Sequence, residues 1–213
     1  MGFFTQHFGH LSPASFFNFS FLDAYWKYIL QSVGYTLILA IVSVALAIIP
    51  ALALAIMRLS KNKIVKGLSG AYIAVFRSTP LLVQLSIIYF GLFGVIYIPN
   101  GLKLFGFIPL SRFIPGVVAL ALNSSAYVAE IFRGGILAVD IGQTEAARSL
   151  GLSSWQSMKL VVLPQAIKNV LPALANEVVT MVKESSICMT LGMAEIMFAA
   201  KTIAGATYIT LAP

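Results

Sequence analysis

The chain has 213 residues, 59% of them hydrophobic and only 10% charged, with a net charge of +7 and a single cysteine. A typical soluble domain is about 25% charged, and a mean hydropathy of +0.93 over the whole length excludes a soluble core with one anchor. The apolar residues are spread along the chain as one polytopic membrane domain, 1–213. Cys188 alone excludes a disulfide framework, and its apolar setting marks a packing residue.

The first 27 residues are aromatic-rich and read as an external segment. Met1 to Phe21 contain no Lys or Arg and no small-residue cleavage pattern, so no cleavable signal peptide is expected. His7 and His10 are two ligands without companions and read as polar surface rather than a metal site. Residues 28–57 then run without charge between Lys27 and Arg58. At 1.5 Å per residue they exceed the roughly 30 Å hydrocarbon core, which implies tilt or bending, with a kink at Pro50. Ser43, Ala47, Ala51 and Ala55 repeat every fourth residue and form a small-residue face that lets a neighbouring helix approach closely.

A second apolar segment covers 68–98, interrupted by Arg77-Ser78-Thr79-Pro80, a third covers 114–139 and a fourth 170–196. Between the first and second lie Arg58, Lys61, Lys63 and Lys66; the loop between the third and fourth carries Arg148, Lys159 and Lys168, with Arg133 just before it. The other side holds Lys27, Lys103, Arg112 and Lys201. This eight-to-four bias puts the first two sets in the cytoplasm and the N-terminus outside.

The polar stretch 140–165 therefore faces the cytoplasm. It reads Glu145-Ala146-Ala147, three residues, Gly151, then Val161 to Pro164. Gly151 can take the positive φ that closes a first helix. Ser153 and Gln156 have the spacing of a capping box that starts a second, and Pro164 stops that helix or opens the next. Ala146 and Ala147 would let another protein approach their backbone.

Charges inside spans are costly and mark candidate sites. Asn123, Tyr127, Glu130 and Gly134 form one helical stripe, and Asn176, Thr180 and Lys183 another. Helical rise sets Arg77 and Glu130 both roughly 13–14 Å from the cytoplasmic boundary, and Arg133 and Glu177 roughly 9–11 Å. Matching depth predicts the ion pairs Arg77–Glu130 and Arg133–Glu177, which either hold helices together or border a translocation route. A pocket of this mixed polarity supplies both hydrogen-bond donors and acceptors.

The 145–164 spacing resembles the EAA loop with which ABC importer permeases dock onto their ATPase, with Val161 where that family usually has Ile. The resemblance extends further. Phe76-Arg77-Ser78-Thr79-Pro80-Leu81-Leu82-Val83-Gln84 looks like the FRGTPLLVQ segment of polar amino acid permeases, with Ser78 for Gly. The run from Ala119 through Asn123, Tyr127 and Glu130 to Ile136, then Leu163-Pro164-Gln165-Ala166, Asn176-Glu177 and Lys183-Glu184-Ser185-Ser186, follow in order. The match covers about residues 30 to 200.

The resemblance implies an all-α, polytopic helix bundle of the type I (MetI-like) ABC importer kind, a multi-pass protein of the bacterial plasma (inner) membrane. It implies import of small polar amino acids, with Glu145, Ala146, Ala147, Leu150, Gly151 and Trp155 at the ATPase interface. Arg77, Gln84, Asn123, Tyr127, Glu130, Asn176, Thr180 and Lys183 would lie along the substrate route. The partners implied are an ABC ATPase dimer, a second permease copy or similar subunit, an external or periplasmic amino acid-binding protein and the lipid bilayer. No nucleic acid is implied. No cofactor is expected on this chain: it has no Walker A sequence, so ATP and Mg would bind the partner. Family members have five spans, and residues 197–213 are too short for a complete extra one, so a missing fifth helix is expected, by truncation or supply from a partner.

Alternatives are a related permease for another small solute, such as methionine or opine-like compounds, or an ion channel. A channel has no use for a docking loop. An intramembrane enzyme needs a nucleophile–base pair or metal cluster, and both His lie outside the spans.

Overall fold

A computed structural model describes residues 19–207. His7, His10, the start of the external segment and residues 208–213 lie outside the described residues. The fold is an all-α bundle. Helix α1 (Phe21–Leu59) is followed by α2 (Lys63–Ser78) and by α3 (Leu81–Ser86), which continues as a π-helical turn through Leu92. A two-residue antiparallel pair, Lys103–Leu104 with Ile108–Pro109, leads into α4 (Leu110–Leu137). Then come α5 (Ile141–Ser149), α6 (Ser154–Ser157) with a π turn to Val162, α7 (Leu163–Glu184) with a 3-10 turn to Leu191, and α8 (Ile196–Thr207).

Phe21–Leu59, Leu110–Leu137 and Ser154–Leu191 are long and apolar enough to cross a membrane, and α2 with the Leu81–Leu92 helix makes a fourth span if the pair is taken together. That pair is bent by 105°. The bend falls where Arg77-Ser78-Thr79-Pro80 interrupts the apolar run. Pro80 disfavours a helical conformation at the preceding residue, and Thr79 is extended, with φ −103° and ψ 145°.

The predicted small-residue face of α1 is buried. Ser43, Ala47, Ala51 and Ala55 have at most 1% of their surface exposed, and α1 packs chiefly against α4. On α4, Ala126, Val128 and Ala129 meet Ala51 and Ile73 in one core cluster. With little hydrophobic force available between helices in lipid, close backbone approach across small residues supplies the packing. Pro50 lies inside α1, which stays one helix from Phe21 to Leu59.

A larger cluster at the opposite end joins Tyr35 and Leu39 of α1, Leu85 of α3, Phe113 and Leu120 of α4, and Met181 with buried Cys188. Helix α4 crosses α7 at Gly135, where a Cβ would come within 2.3 Å of Val170 Cγ2 and 3.3 Å of the Ala166 carbonyl. Helix α8 is tied to α1 by the Ile196 N–H donating to Thr36 Oγ1 (3.0 Å). The buried Glu195 carboxylate caps α8 by accepting from the Met197 and Phe198 N–H groups (2.8 and 2.6 Å).

Candidate functional site

Two regions carry the candidate residues. The first is a helical hairpin made by α5 and α6. Asp140 caps α5, its Oδ1 accepting from the Gly142 N–H at 2.6 Å. The helix ends at Gly151, whose φ is +85°. The Gly151 N–H donates to the Arg148 carbonyl (3.0 Å) and the Leu152 N–H to the Ala147 carbonyl (3.2 Å), the paired bonds of a Schellman ending.

The capping box is formed: Gln156 N–H donates to Ser153 Oγ (3.3 Å) and Ser153 N–H to Gln156 Oε1 (2.8 Å). Arg148 straps the hinge by donating to Ser154 Oγ (3.0 Å) and the Leu152 carbonyl (3.4 Å). In the sequence Arg148 stands out only as a topological charge, and its spacing from Ser154 across the Gly151 turn is the signal for this strap. Pro164 opens α7 and stops nothing, because the π turn Met158–Val162 carries α6 directly into the span.

The hairpin presents an apolar outer surface. Leu150 is 84% and Trp155 71% exposed, and Glu145, Ala146 and Gly151 are also exposed. Ala147 differs from the expectation. It is buried, with Ser157 and Val162, where α5 meets α6 and the π turn, so its small side chain admits this chain's own second helix rather than a partner.

The second region is the polar cluster among α1, α2, α3 and α4. The predicted ion pairs are not formed. Glu130 pairs instead with Arg58 at the end of α1 (Nε–Oε1 3.5 Å) and with Arg133, whose Nε and Nη2 reach Oε2 at 2.9 and 2.7 Å. Arg133 lies one helical turn from Glu130, which gives it the shortest reach, and Arg58 lies across Gly70, where a Cβ would sit 3.1 Å from the guanidinium. Glu177 is buried and accepts from Ser124 Oγ at 2.7 Å. Nothing in the sequence marks Arg58 as a partner of Glu130, because a charge at the end of an apolar run reads as loop. Arg77 places its guanidinium over the Tyr127 ring, 5.2 Å from the centroid. It still shares a cavity of about 430 Å³ with Glu130, Arg58 and Ser78.

Gln84 and Asn123 are buried and hold the break in the second span. Gln84 Nε2 reaches the Phe76 and Thr79 carbonyls (2.8 and 3.0 Å) and Thr79 Oγ1 (2.7 Å), and Asn123 Nδ2 donates to Gln84 Oε1 (2.8 Å). The four-residue stripe predicted on α4 is therefore divided: Asn123 faces α3, Tyr127 and Glu130 are half-buried, and Gly134 is exposed. On α7, Asn176 and Lys183 are exposed and Thr180 half-buried.

Residues 43–212 match the family model described as the binding-protein-dependent transport system inner membrane component. The chain belongs to that permease family. This permease is 41% identical over 186 residues to the arginine transport system permease protein ArtQ of Bacillus subtilis, covering 87% of this chain and 80% of that one. It is likewise 41% identical over 180 residues to the nopaline transport system permease protein NocM of Agrobacterium fabrum, covering 84% and 74%. A crystal structure of an amino acid ABC transporter with histidines superposes with a TM-score of 0.78 at 44% identity, over 90% of this chain and 84% of that one. The MetNI methionine ABC transporter in inward-facing conformations shares the fold, with a TM-score of 0.68 at 18% identity over 89% and 90%. Membership makes the chain a membrane-embedded transport subunit whose kind works with an ATPase and a substrate-binding protein.

Proposed function

We propose that this permease imports polar amino acids, driven by ATP that a separate ATPase binds and hydrolyses, and that the α5–α6 hairpin is the part the ATPase moves. The observation that carries the reading is the hairpin itself, a short rigid body closed by Gly151, with Glu145, Ala146, Leu150 and Trp155 on its outer surface. The π turn joins it without a break to the Ser154–Leu191 span. A push on the hairpin is thereby delivered along one helix.

Two such permeases, identical or paired with a similar subunit, would sit on two ATPases, with an external binding protein delivering substrate to a route bordered by Arg77, Tyr127, Glu130, Asn176, Thr180 and Lys183. Gln84 and Asn123 would shape that route by fixing the bend at Pro80. Relatives named for arginine and for nopaline are equally identical to this chain, which supports a substrate class, small polar amino acids and their derivatives, rather than one compound. The charge bias of the loops supports an external N-terminus and a cytoplasmic hairpin.

The test is reconstitution in proteoliposomes with the ATPase and binding protein. Hydrolysis stimulated by substrate-loaded binding protein, with uptake of that substrate, is the expected outcome; hydrolysis indifferent to the loaded binding protein would contradict it. Orientation is checked in intact cells. A membrane-impermeant maleimide should label Lys103→Cys and spare Lys63→Cys, both positions being exposed.

A further inference from the structure

The end of the bundle opposite the docking hairpin holds a cavity of about 400 Å³ that the importer reading leaves unused, within the size range of small-molecule sites. Its wall is the π turn Ile87–Leu92, which turns Tyr89 and Phe90 into the space (ring centroids 5.1 Å apart) with Phe93 and Tyr97 beside them. A Cβ at Gly94 would collide with the Phe90 carbonyl, so the close fold of this wall requires glycine there. Facing the rings, the start of α4 contributes Ser111 and Arg112, and Asn100 comes from the connecting loop.

Arg112 has one fixed partner. Its Nη1 donates to the carbonyl of Gly192, which holds a left-handed conformation (φ +69°) and where a Cβ would sit 2.9 Å from that same nitrogen. Residue 192 is thus glycine for two reasons, backbone angle and room for the guanidinium. A guanidinium has five N–H donors, and the ion pairs of the described residues involve Arg58, Arg133 and Glu130 only. Arg112 therefore keeps an unneutralised charge and spare donors at the cavity. The hydroxyl of Ser111 and the amide of Asn100 likewise make no hydrogen bond among the described residues.

We infer that this cavity is a binding subsite for a free α-amino acid, with the ligand carboxylate on Arg112 and Ser111 and its ammonium or side chain against the Tyr89, Phe90, Phe93 and Tyr97 rings. Charge-assisted bonds to a guanidinium are the strong ones available to a carboxylate, and aromatic faces attract a ligand cation. The inference rests on the importer reading for its location, the external side, and makes the cavity a holding site between delivery and the intramembrane route. Because Arg112 also straps Gly192, occupancy is linked to the end of the fourth span, where the 3-10 turn gives way to α8.

Equilibrium binding of tritiated L-arginine and tritiated L-glutamine to the permease–ATPase complex in nanodiscs, without binding protein or ATP, tests this. At least one probe should bind saturably, Arg112→Gln should weaken it at least tenfold, and Ser111→Ala two- to fivefold. Ser111→Ala leaves the Gly192 strap untouched and should melt like the wild type, which separates a lost ligand contact from a loosened fold. Unchanged binding in both variants, or no saturable binding of either probe, overturns the site. Binding abolished when phosphatidylglycerol replaces phosphatidylcholine in the disc would assign the cavity to lipid and overturn it equally. Failure of the wild-type complex to import amino acid would count against the importer reading; normal import with binding indifferent to Arg112 would count against this site alone.

Discussion

The α5–α6 hairpin and the charged cluster at the Arg58 end of α1 are held together by different means. The bonds that shape the hairpin's caps and hinge close within six residues, as in Asp140–Gly142, Ser153–Gln156 and Arg148–Ser154. Only Gln165–Gln143 reaches further, over 22 residues. The cluster has local ties as well, at Arg133–Glu130 and Gln84–Thr79, but it is closed across helices, over 72 residues at Arg58–Glu130 and over 39 at Asn123–Gln84. A body tied by local bonds keeps its shape when pushed. A cluster tied across helices has a shape set by where those helices stand, and it changes when they move. The first is suited to transmit a displacement and the second to register one.

Glu130 is the residue on which the cluster depends most. Glu130→Gln leaves Arg58 and Arg133 without their shared carboxylate, and because the group is only half-buried the expected loss is roughly 2–3 kcal/mol, below the range for a fully buried pair. It is read as a lowered melting temperature of the purified complex. Pairing Glu130→Gln with Arg133→Met should recover part of that loss, whereas pairing it with Arg77→Met should be additive to within about 0.5 kcal/mol. Recovery with Arg77→Met would restore the ion pair that depth alone predicts.

Gly135→Ala should come next, costing about 1–3 kcal/mol through overpacking against Val170 at the α4–α7 crossing. In the hairpin, Ser153→Ala removes one half of the capping box and should cost about 1 kcal/mol, seen as faster hydrogen exchange confined to residues 153–157. Arg77→Met is the smallest, roughly 0.5–1 kcal/mol for the contact with Tyr127. Its larger effect is expected on apparent substrate affinity in uptake assays.

The hairpin was legible in the sequence because its signals are short: a glycine at the helix end, a capping box two residues on, a proline at the next opening. The α1 seam was legible for a similar reason, since a small residue every fourth position needs no knowledge of its partner. The ion pairs were not. Helical rise fixes depth but not azimuth, so Arg77 and Glu130 could be set level without revealing that Arg77 turns onto Tyr127. Arg58 escaped notice because a charge at a span's end looks like loop until the neighbouring helix crosses it at Gly70. Ala147 shows the same limit within the hairpin: its size was readable, but not that the surface approaching it is the chain's own.

In the proposed mechanism the hairpin, closed at Gly151, couples ATP hydrolysis to movement of the fourth span. A Cβ at Gly151 would meet no atom within 4 Å, so any effect of a side chain there comes from the positive φ alone. The decisive measurement is the ratio of substrate imported to ATP hydrolysed in proteoliposomes carrying wild type, Gly151→Asn or Gly151→Val. Asparagine tolerates this conformation and a β-branched residue does not. The account predicts a ratio near wild type for Gly151→Asn and a collapse for Gly151→Val, with the protein still inserted and the ATPase still bound. An unchanged ratio in Gly151→Val would contradict it.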